Sequence, residues 1–551
     1  MKRFFYVLVI VLLSYFAIKP LFISGFFPMH DDTQVGRVVA MGKALRTGQF
    51  PVRWVADLGY GYGYPIFNFY GPLPYYFGGS LYTLGIEGLT AAKAMMAVGI
   101  VVSGVTMFLL SSSLFGFYGG FLSSILYVYA PYHAVQLYVR GAVGELWAYG
   151  FLPLVLYGII QIFNKKTIRN GVFIGSLGLF GVITSHTIFG YITVGLVLFG
   201  YLILLIRRYS IVKGIKTPLL SYSLLGLFGL GTAAFYWLPA ITEMRFTNVA
   251  ETIGSTANYK DHFVCLSQFW YSAWGFGGSA PGCIDGMSYM LGKLHILFAV
   301  LSLILWFSQK KRIPIVLWIV LFTLFSLFFM LQISQPLWNL IPFHAYIQYP
   351  WRLLPFSVLG LSLASGATGF LPRLKRFIPY IAISFIIFII IMNAKWFIPQ
   401  TIIDRNPLSY ELEEELRFRV SKISDEYLPP NVHRPITIDG NVHDTIKTTP
   451  TLTVKTKIDT GTRAVYELIS TQLQTITIQR AYFPGWRYWV NEREIKPEIV
   501  GGLPMIPIPE GVSTVSFAFH NTPIRAIANG LTLLSIGIFI YWYGKNKKAV
   551  S

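Results

Sequence analysis

The sequence predicts a mainly α-helical, polytopic membrane protein of about twelve transmembrane helices, with an extracytoplasmic β-sandwich domain near the C-terminus. Three observations carry this. Only 12% of the 551 residues are charged and 54% are hydrophobic, against about 25% charged in a soluble chain. Apolar runs near twenty residues long recur through the first four hundred residues, the length that spans a bilayer as helix. From about Ile436 the pattern changes to alternation with period two, the signature of half-buried strands.

The apolar runs fall at 4–27, 91–113, 117–134, 146–163, 170–186, 187–206, 218–240, 293–309, 313–333, 353–371, 377–397 and 524–543. The first is longer than the roughly 7–15-residue core of a signal peptide and no small-x-small cleavage site follows. It reads as an uncleaved span. The 170–206 stretch divides only at Ser185-His186. Drawn this way, Lys2-Arg3, Lys165-Lys166-Arg169, Arg207-Arg208-Lys213-Lys216, Lys310-Lys311-Arg312, Arg373-Lys375-Arg376 and Lys545-Lys547-Lys548 share one side. Cytoplasmic loops collect Lys and Arg, so both termini are placed in the cytoplasm of a plasma-membrane protein. The same bias accounts for the net charge of +20 without a nucleic-acid partner.

This divides the chain into a membrane domain 1–397 with a first outer loop at 28–90, an extracytoplasmic segment 398–523, and a final helix with a basic tail at 524–551. The segment 398–523 opens on an acidic stretch, Asp404 to Arg434, read as a short helix and an extended piece. The alternating runs TLTVKTKI, RAVYELIS, QTITIQRAYF and STVSFAFH follow, separated by turn residues. Both cysteines, Cys265 and Cys283, lie in one outer loop, where an oxidising compartment favours a disulfide.

Candidate chemistry sits in the first outer loop. Val35, Val38, Val39, Met41 and Leu45 space out as one face of a helix over Thr33–Thr47, lying along the membrane surface. Asp31 or Asp32 stands at the N-cap position and Gly48 near the C-cap. That accounts for one aspartate of the pair. The other is read as a general base, since adjacent carboxylates raise one another's pKa toward working pH. A divalent metal, magnesium or manganese, on Asp31 and Asp32 with His30 is a weaker reading, because adjacent side chains seldom converge on one ion. The aromatic run containing Tyr62, Tyr64 and Tyr70 reads equally as an interfacial belt and as a sugar-stacking surface.

The run HDD…GQFPVRW…GYGYPIFNFYGPLPYY resembles the first outer loop of the membrane proteins known as 6-pyruvoyl-tetrahydropterin synthase-related. YVRGAVGELWAYGFLPLVL at 138–156, SH at 185–186, QYPWRLLPF at 348–356, EYLP at 426–429 and YFPGWRYWVN at 482–491 extend the resemblance over nearly the whole chain. These proteins are similar to YfhO-type proteins and to the wider GT-C glycosyltransferases. Pterin synthesis itself is excluded: it needs clustered zinc-binding histidines and a nucleophilic cysteine, and the nine histidines include no HxH pair. The resemblance implies a GT-C-like glycosyltransferase that takes sugar from a polyprenyl-phosphate carrier and passes it to a glycan or cell-envelope acceptor. An outer-loop aspartate would act as base or metal ligand, Asp31 before Asp32.

A lipid-phosphate leaving group needs cations. Arg140 with Glu145 reads both as an ion pair at the membrane edge and as a phosphate site. His186 reads first as a packing histidine and second as a phosphate ligand. Arg352, with His344 and Gln348 nearby, offers a bidentate donor to phosphate. Two rival classes are a lipid or polysaccharide transporter, which requires charges deep in several spans, and a non-catalytic membrane scaffold, for which the carboxylates are dispensable.

Overall fold

The structure is a computed structural model that describes residues 2–209, 216–249, 258–307, 314–370 and 378–548. Fourteen longer helices are labelled here and short turns are left unlabelled. They are α1 Lys2–Leu13, α2 Gln34–Arg46, α3 Leu73–Thr83, α4 Gly88–Val128, α5 Val143–Ile162, α6 Ile168–Ser185 and α7 Thr187–Tyr209. Then come α8 Lys216–Thr232, α9 Ala234–Glu243, α10 Lys293–Phe307, α11 Pro314–Phe328, α12 Leu354–Ser365, α13 Ile378–Asn393 and α14 Pro523–Lys548.

Among the described residues each apolar run of the sequence lies mainly on helix, but the helices are broken where the chain lets them break. α4 is nominally one helix, yet Gly116 inside it has φ +72 and ψ −174. The Ser124 hydroxyl donates to the Gly104 carbonyl at 2.7 Å and the Phe108 and Phe121 rings lie 5.0 Å apart. Residues twenty apart in a straight helix would be about 30 Å distant. α4 is therefore two antiparallel arms folded at Gly116, where only glycine takes that backbone without strain. α6 and α7 part at His186, whose backbone is extended. Further bends of 43° and 68° follow Leu13 and Thr232.

Among the described residues, and with α4 counted once, five helices are long and apolar enough to cross a membrane, or up to seven if each bent pair is one span. Three shorter apolar helices, in the regions of α10, α11 and α13, accompany them. Many of the basic residues behind the inside assignment, Lys213, Lys310, Lys311, Arg312, Arg373, Lys375 and Arg376, lie outside the described residues.

The C-terminal region holds eight strands: β1 Leu452–Asp459, β2 Arg463–Ser470, β3 Gln474–Thr477, β4 Trp486–Val490, β5 Arg493–Ile495, β6 Glu498–Val500, β7 Leu503–Ile508 and β8 Gly511–Phe519. They form a five-stranded antiparallel sheet, β1-β2-β8-β4-β5, and a three-stranded one, β3-β7-β6. Alternate residues of both sheets, Leu468, Val515 and Phe517 from one and Ile476, Ile506 and Ile508 from the other, enter one buried cluster.

What positions the site is the way this region clamps the first outer loop. Glu243, at the end of α9, accepts from Asn68 of the loop at 2.8 Å, from Thr522 at 2.7 Å and from Arg525 Nε of α14 at 3.0 Å. Arg525 has no exposure and lies over the Phe519 ring at 4.8 Å. Trp54 of the loop meets Trp486 edge-on at 5.4 Å. Loop, bundle, sheet and last helix are thus tied through one buried charge pair and a set of rings.

Candidate functional site

The site begins as a backbone match. His30 N–H donates to Val139 O at 3.0 Å and Asp31 N–H to Arg140 O at 2.9 Å, so the entry to the first outer loop runs beside the corner before α5. Gln34 holds the two together. Its amide donates to Gly141 O at 2.7 Å and accepts from Tyr75 Oη at 2.6 Å. Gly141 turns the corner with φ +64.

Beneath this junction lies Glu145, with only 1% of its side chain exposed. Arg140 grips it with both terminal nitrogens, at 2.5 and 3.0 Å. Tyr132 Oη lies at 3.3 Å, Arg352 Nε at 3.5 Å and His186 Nε2 at 3.9 Å. Arg352 donates to Ile347 O at 2.8 Å and Gln348 Oε1 at 2.7 Å, but its Nε makes no hydrogen bond. The Trp351 ring packs under Arg140 at 4.5 Å. Two buried guanidiniums therefore share one buried carboxylate, which Arg140 occupies bidentately. Such a site is short of one anion.

The two aspartates part company at this junction. Neither caps α2: its N-cap is Thr33, with no side-chain cap bond, and Thr33 N–H bonds Asp31 O. Asp31 stays beside Arg140, at the edge of the buried cluster around Glu145, called the recess below. Its carboxylate is 38% exposed and lies 3.1 Å from His30 Nδ1. Burial pushes the Asp31 carboxyl up, but the His30 hydrogen bond and the charges of Arg140 and Arg37 hold it below the usual carboxylate range. Asp32 faces the segment after α13 instead. Desolvation and the like charge of Glu415 push it up to about 6, against Arg405 and Arg419. Asp32 is exposed, so solvent screens these neighbours. The pair thus differs from the expected arrangement: the aspartate with the raised pKa is the one turned away from Arg140 and Arg37.

α2 is not a surface helix with one polar face. Gln34 and Arg37 are buried along with its apolar residues, because Leu416 and Val420 of the acidic stretch lie over Gly36. Gly48 follows the helix with φ +80 and bonds Leu45 O, the expected C-terminal turn. Arg37 donates to Ser424 Oγ at 2.8 Å and stacks on the Tyr70 ring at 4.2 Å, while its Nε and one terminal nitrogen have no partner. Glu426 faces it. Burial pushes the Glu426 carboxyl up despite Arg37 and Ser424. In the sequence Glu426 is visible only inside the EYLP motif.

Other predicted residues go elsewhere. Tyr64 and Tyr62 are 1% and 7% exposed, and with Tyr60, Phe67, Phe69 and Tyr75 they form core between the loop and the C-terminal region. Neither a belt nor a stacking face describes them. Tyr70 alone of the three predicted tyrosines borders the recess, beneath Arg37. His344 bonds Ile341 O in its own turn and edges the Tyr259 ring, with no contact to Glu145. Cys265 and Cys283 are joined, with Cα atoms 5.6 Å apart. Among the described residues no group of three His, Cys, Asp or Glu side chains could hold a metal. Asp31 and Asp32, facing different partners, do not fit a shared magnesium or manganese site.

No family model matches the chain. An uncharacterized protein of Lactococcus lactis subsp. cremoris is 24% identical over 249 residues, 44% of this chain. The match spans about 40% of that relative's length. Among solved structures, the chain is similar to the apo oligosaccharyltransferase of Archaeoglobus fulgidus, with TM-score 0.40, 11% identity, and coverage of 72% of this chain and 55% of that one. It is also similar to ArnT of Cupriavidus metallidurans bound to undecaprenyl phosphate, with TM-score 0.38, 13% identity and coverage of 77% and 76%. Likeness at this level leaves the chemistry to be argued from the recess.

Proposed function

We propose that the protein is a GT-C-type membrane glycosyltransferase, moving a sugar with inversion from a polyprenyl-phosphate carrier to a hydroxyl of an extracytoplasmic glycan or cell-envelope acceptor. The observation that carries this is the shortage of one anion around Glu145: Arg140 takes the carboxylate and Arg352 Nε is left beside it without a hydrogen bond. A phosphate supplies what is missing, and its charge grows as the carrier leaves.

Asp31 borders the same recess and accepts the acceptor's proton as the hydroxyl oxygen attacks the anomeric carbon. The bond from that carbon to the phosphate oxygen breaks on the opposite face, and Arg352 and Arg140 take up the phosphate charge. A single displacement inverts the anomeric centre. Because Asp31 is held below the usual range, it is ionised at neutral pH. Its proton uptake is then coupled to bond formation rather than preceding it. Arg37, stacked on Tyr70, and Glu426 beside it orient the acceptor in this reading. In this reading the recess opens outward, the termini are cytoplasmic, the two sheets of 398–523 close as an extracytoplasmic sandwich, and 1–397 with 524–551 form the membrane part.

Binding of undecaprenyl phosphate to the nanodisc-embedded protein, followed by native mass spectrometry, tests the reading. Losing a charged hydrogen bond costs about 1.5–3 kcal/mol, so Arg352→Ala is expected to weaken binding ~10–100-fold. Equal binding by wild type and Arg352→Ala overturns it.

A further inference from the structure

A cavity of about 350 Å³ is lined by none of the residues around Glu145. That volume falls within the roughly 300–1,000 Å³ of small-molecule sites. Five separate stretches wall it: the C-terminal half of α2 with the loop after it, the acidic stretch at Arg417, residues 442–445, the β1–β2 turn, and Arg480. Backbone bonds hold the walls together. Val442 N–H donates to Tyr60 O and Ala481 N–H to Tyr62 O, each at 2.9 Å.

The chemistry of the lining is specific. Every wall cation already has a carboxylate: Lys43 meets Asp57 at 2.7 Å, Arg480 meets Asp459 at 2.5 Å, and Arg417 pairs with Glu413. An anion finds no unmatched cation here, in contrast to the recess. Arg417 and Arg480 spend their terminal nitrogens on Val442 O, Glu413, Gly461 O and Asp459, so the polar capacity left to a ligand is that of Lys43, Asp57 and the hydroxyls of Thr47, Thr445 and Thr462. Ala40, Ala44, Val55 and Trp54 supply an apolar floor. Matched charges, mixed donors and acceptors, and a small apolar surface suit an uncharged, hydroxyl-rich molecule.

Position adds the length. Ala40 and Thr47 lie six and thirteen residues beyond the first residue of α2, and Asp31 lies just before that helix. At 1.5 Å per residue the cavity stands about 10–20 Å along α2 from the proposed base. We infer that this cavity is a docking subsite for an extended, uncharged oligosaccharide whose other end reaches Asp31. The inference deepens the transferase reading and rests on it for the chain being the acceptor; carbohydrate binding at the cavity stands apart from it.

The test uses the full chain in nanodiscs and calorimetric titration with chitotetraose, maltotetraose, their monosaccharides and a sulfated heparin tetrasaccharide. At least one neutral tetrasaccharide is expected to bind tenfold or more tightly than its monosaccharide, and more tightly than the heparin fragment. Ala56→Trp, which fills the cavity from a half-buried wall position, is expected to remove this binding. Lys43→Met, on a side chain 40% exposed, weakens it several-fold without disturbing the core. Neutral tetrasaccharides that bind no better than monosaccharides, a preference for the heparin fragment, or unchanged binding in both Ala56→Trp and Lys43→Met overturns the subsite. Should the wild type bind a tetrasaccharide in this cavity yet transfer no sugar, the subsite stands and the transferase reading falls.

Discussion

Glu145→Gln probes the recess most directly as a piece of electrostatics. The wild-type carboxylate is 1% exposed, takes two bonds from Arg140 and has Arg352 Nε at 3.5 Å. The substitution keeps the shape and one acceptor but removes the charge, leaving two buried guanidiniums facing each other. Removing one partner of a buried ion pair costs about 3–5 kcal/mol. The retained carbonyl puts the expected loss near the low end, about 3 kcal/mol. Chemical unfolding in mixed micelles reads this directly. Rescue is expected as well: an anion that enters the recess of the variant restores stability as RT ln(1 + [L]/Kd), about 2.7 kcal/mol at a hundred times Kd. Inorganic phosphate is therefore expected to stabilise Glu145→Gln more than wild type. A variant within ~0.5 kcal/mol of wild type, or one indifferent to phosphate, would refute the charge count around Glu145.

Two further outcomes follow from the clamp and the divergent aspartates. Glu243→Ala strands Arg525, which has no exposure, and Asn68; a loss of about 3–5 kcal/mol is expected, with faster proteolysis before α14, and a Glu243→Leu/Arg525→Leu pair recovers most of it. Asp32 has a folded-state pKa raised to about 6 from an ordinary value of 3.8, so its ionised form is disfavoured by the fold. That cost is full above about pH 6 and vanishes below the unfolded value. Asp32→Asn is thus expected to raise the melting temperature at pH 7.5 and to leave it unchanged at pH 3.5; a variant less stable than wild type at pH 7.5 contradicts the assignment.

The helical architecture was legible because an apolar run of bilayer length seldom occurs outside a spanning helix. Even the division at Ser185-His186 was readable from two polar residues in a greasy stretch. The reversal at Gly116 was readable too, as the gap between the runs 91–113 and 117–134, whereas the bends after Leu13 and Thr232 fall inside the runs 4–27 and 218–240 and had no local sign. β1, β2 and β8 announced themselves by alternation. β7 did not: Pro504 and Pro507 argue against a strand flanked on both sides, yet it lies between β3 and β6. In the site, Asp31, Arg140, Glu145, His186 and Arg352 stood out as polar residues at span ends. Their meeting depends on His30-Asp31 lying beside Val139-Arg140, a register that no spacing encodes. The tyrosine run misled because composition does not say which way a ring faces; Tyr62 and Tyr64 became core once the C-terminal region covered them. Both aspartates filled a capping pattern, but the chain turned one residue later, at Thr33.

The central claim is that Asp31, and not its neighbour, performs the proton transfer. Removing a general base typically costs about 10²–10⁴-fold in rate. Purified wild type, Asp31→Asn and Asp32→Asn would be assayed together for transfer from a panel of polyprenyl-phosphate sugars to cell-envelope glycan acceptors, with folding checked by melting temperature. The account predicts transfer by wild type, a loss of at least about a hundredfold in Asp31→Asn, and Asp32→Asn within a few-fold of wild type. A folded Asp31→Asn that transfers at the wild-type rate contradicts it.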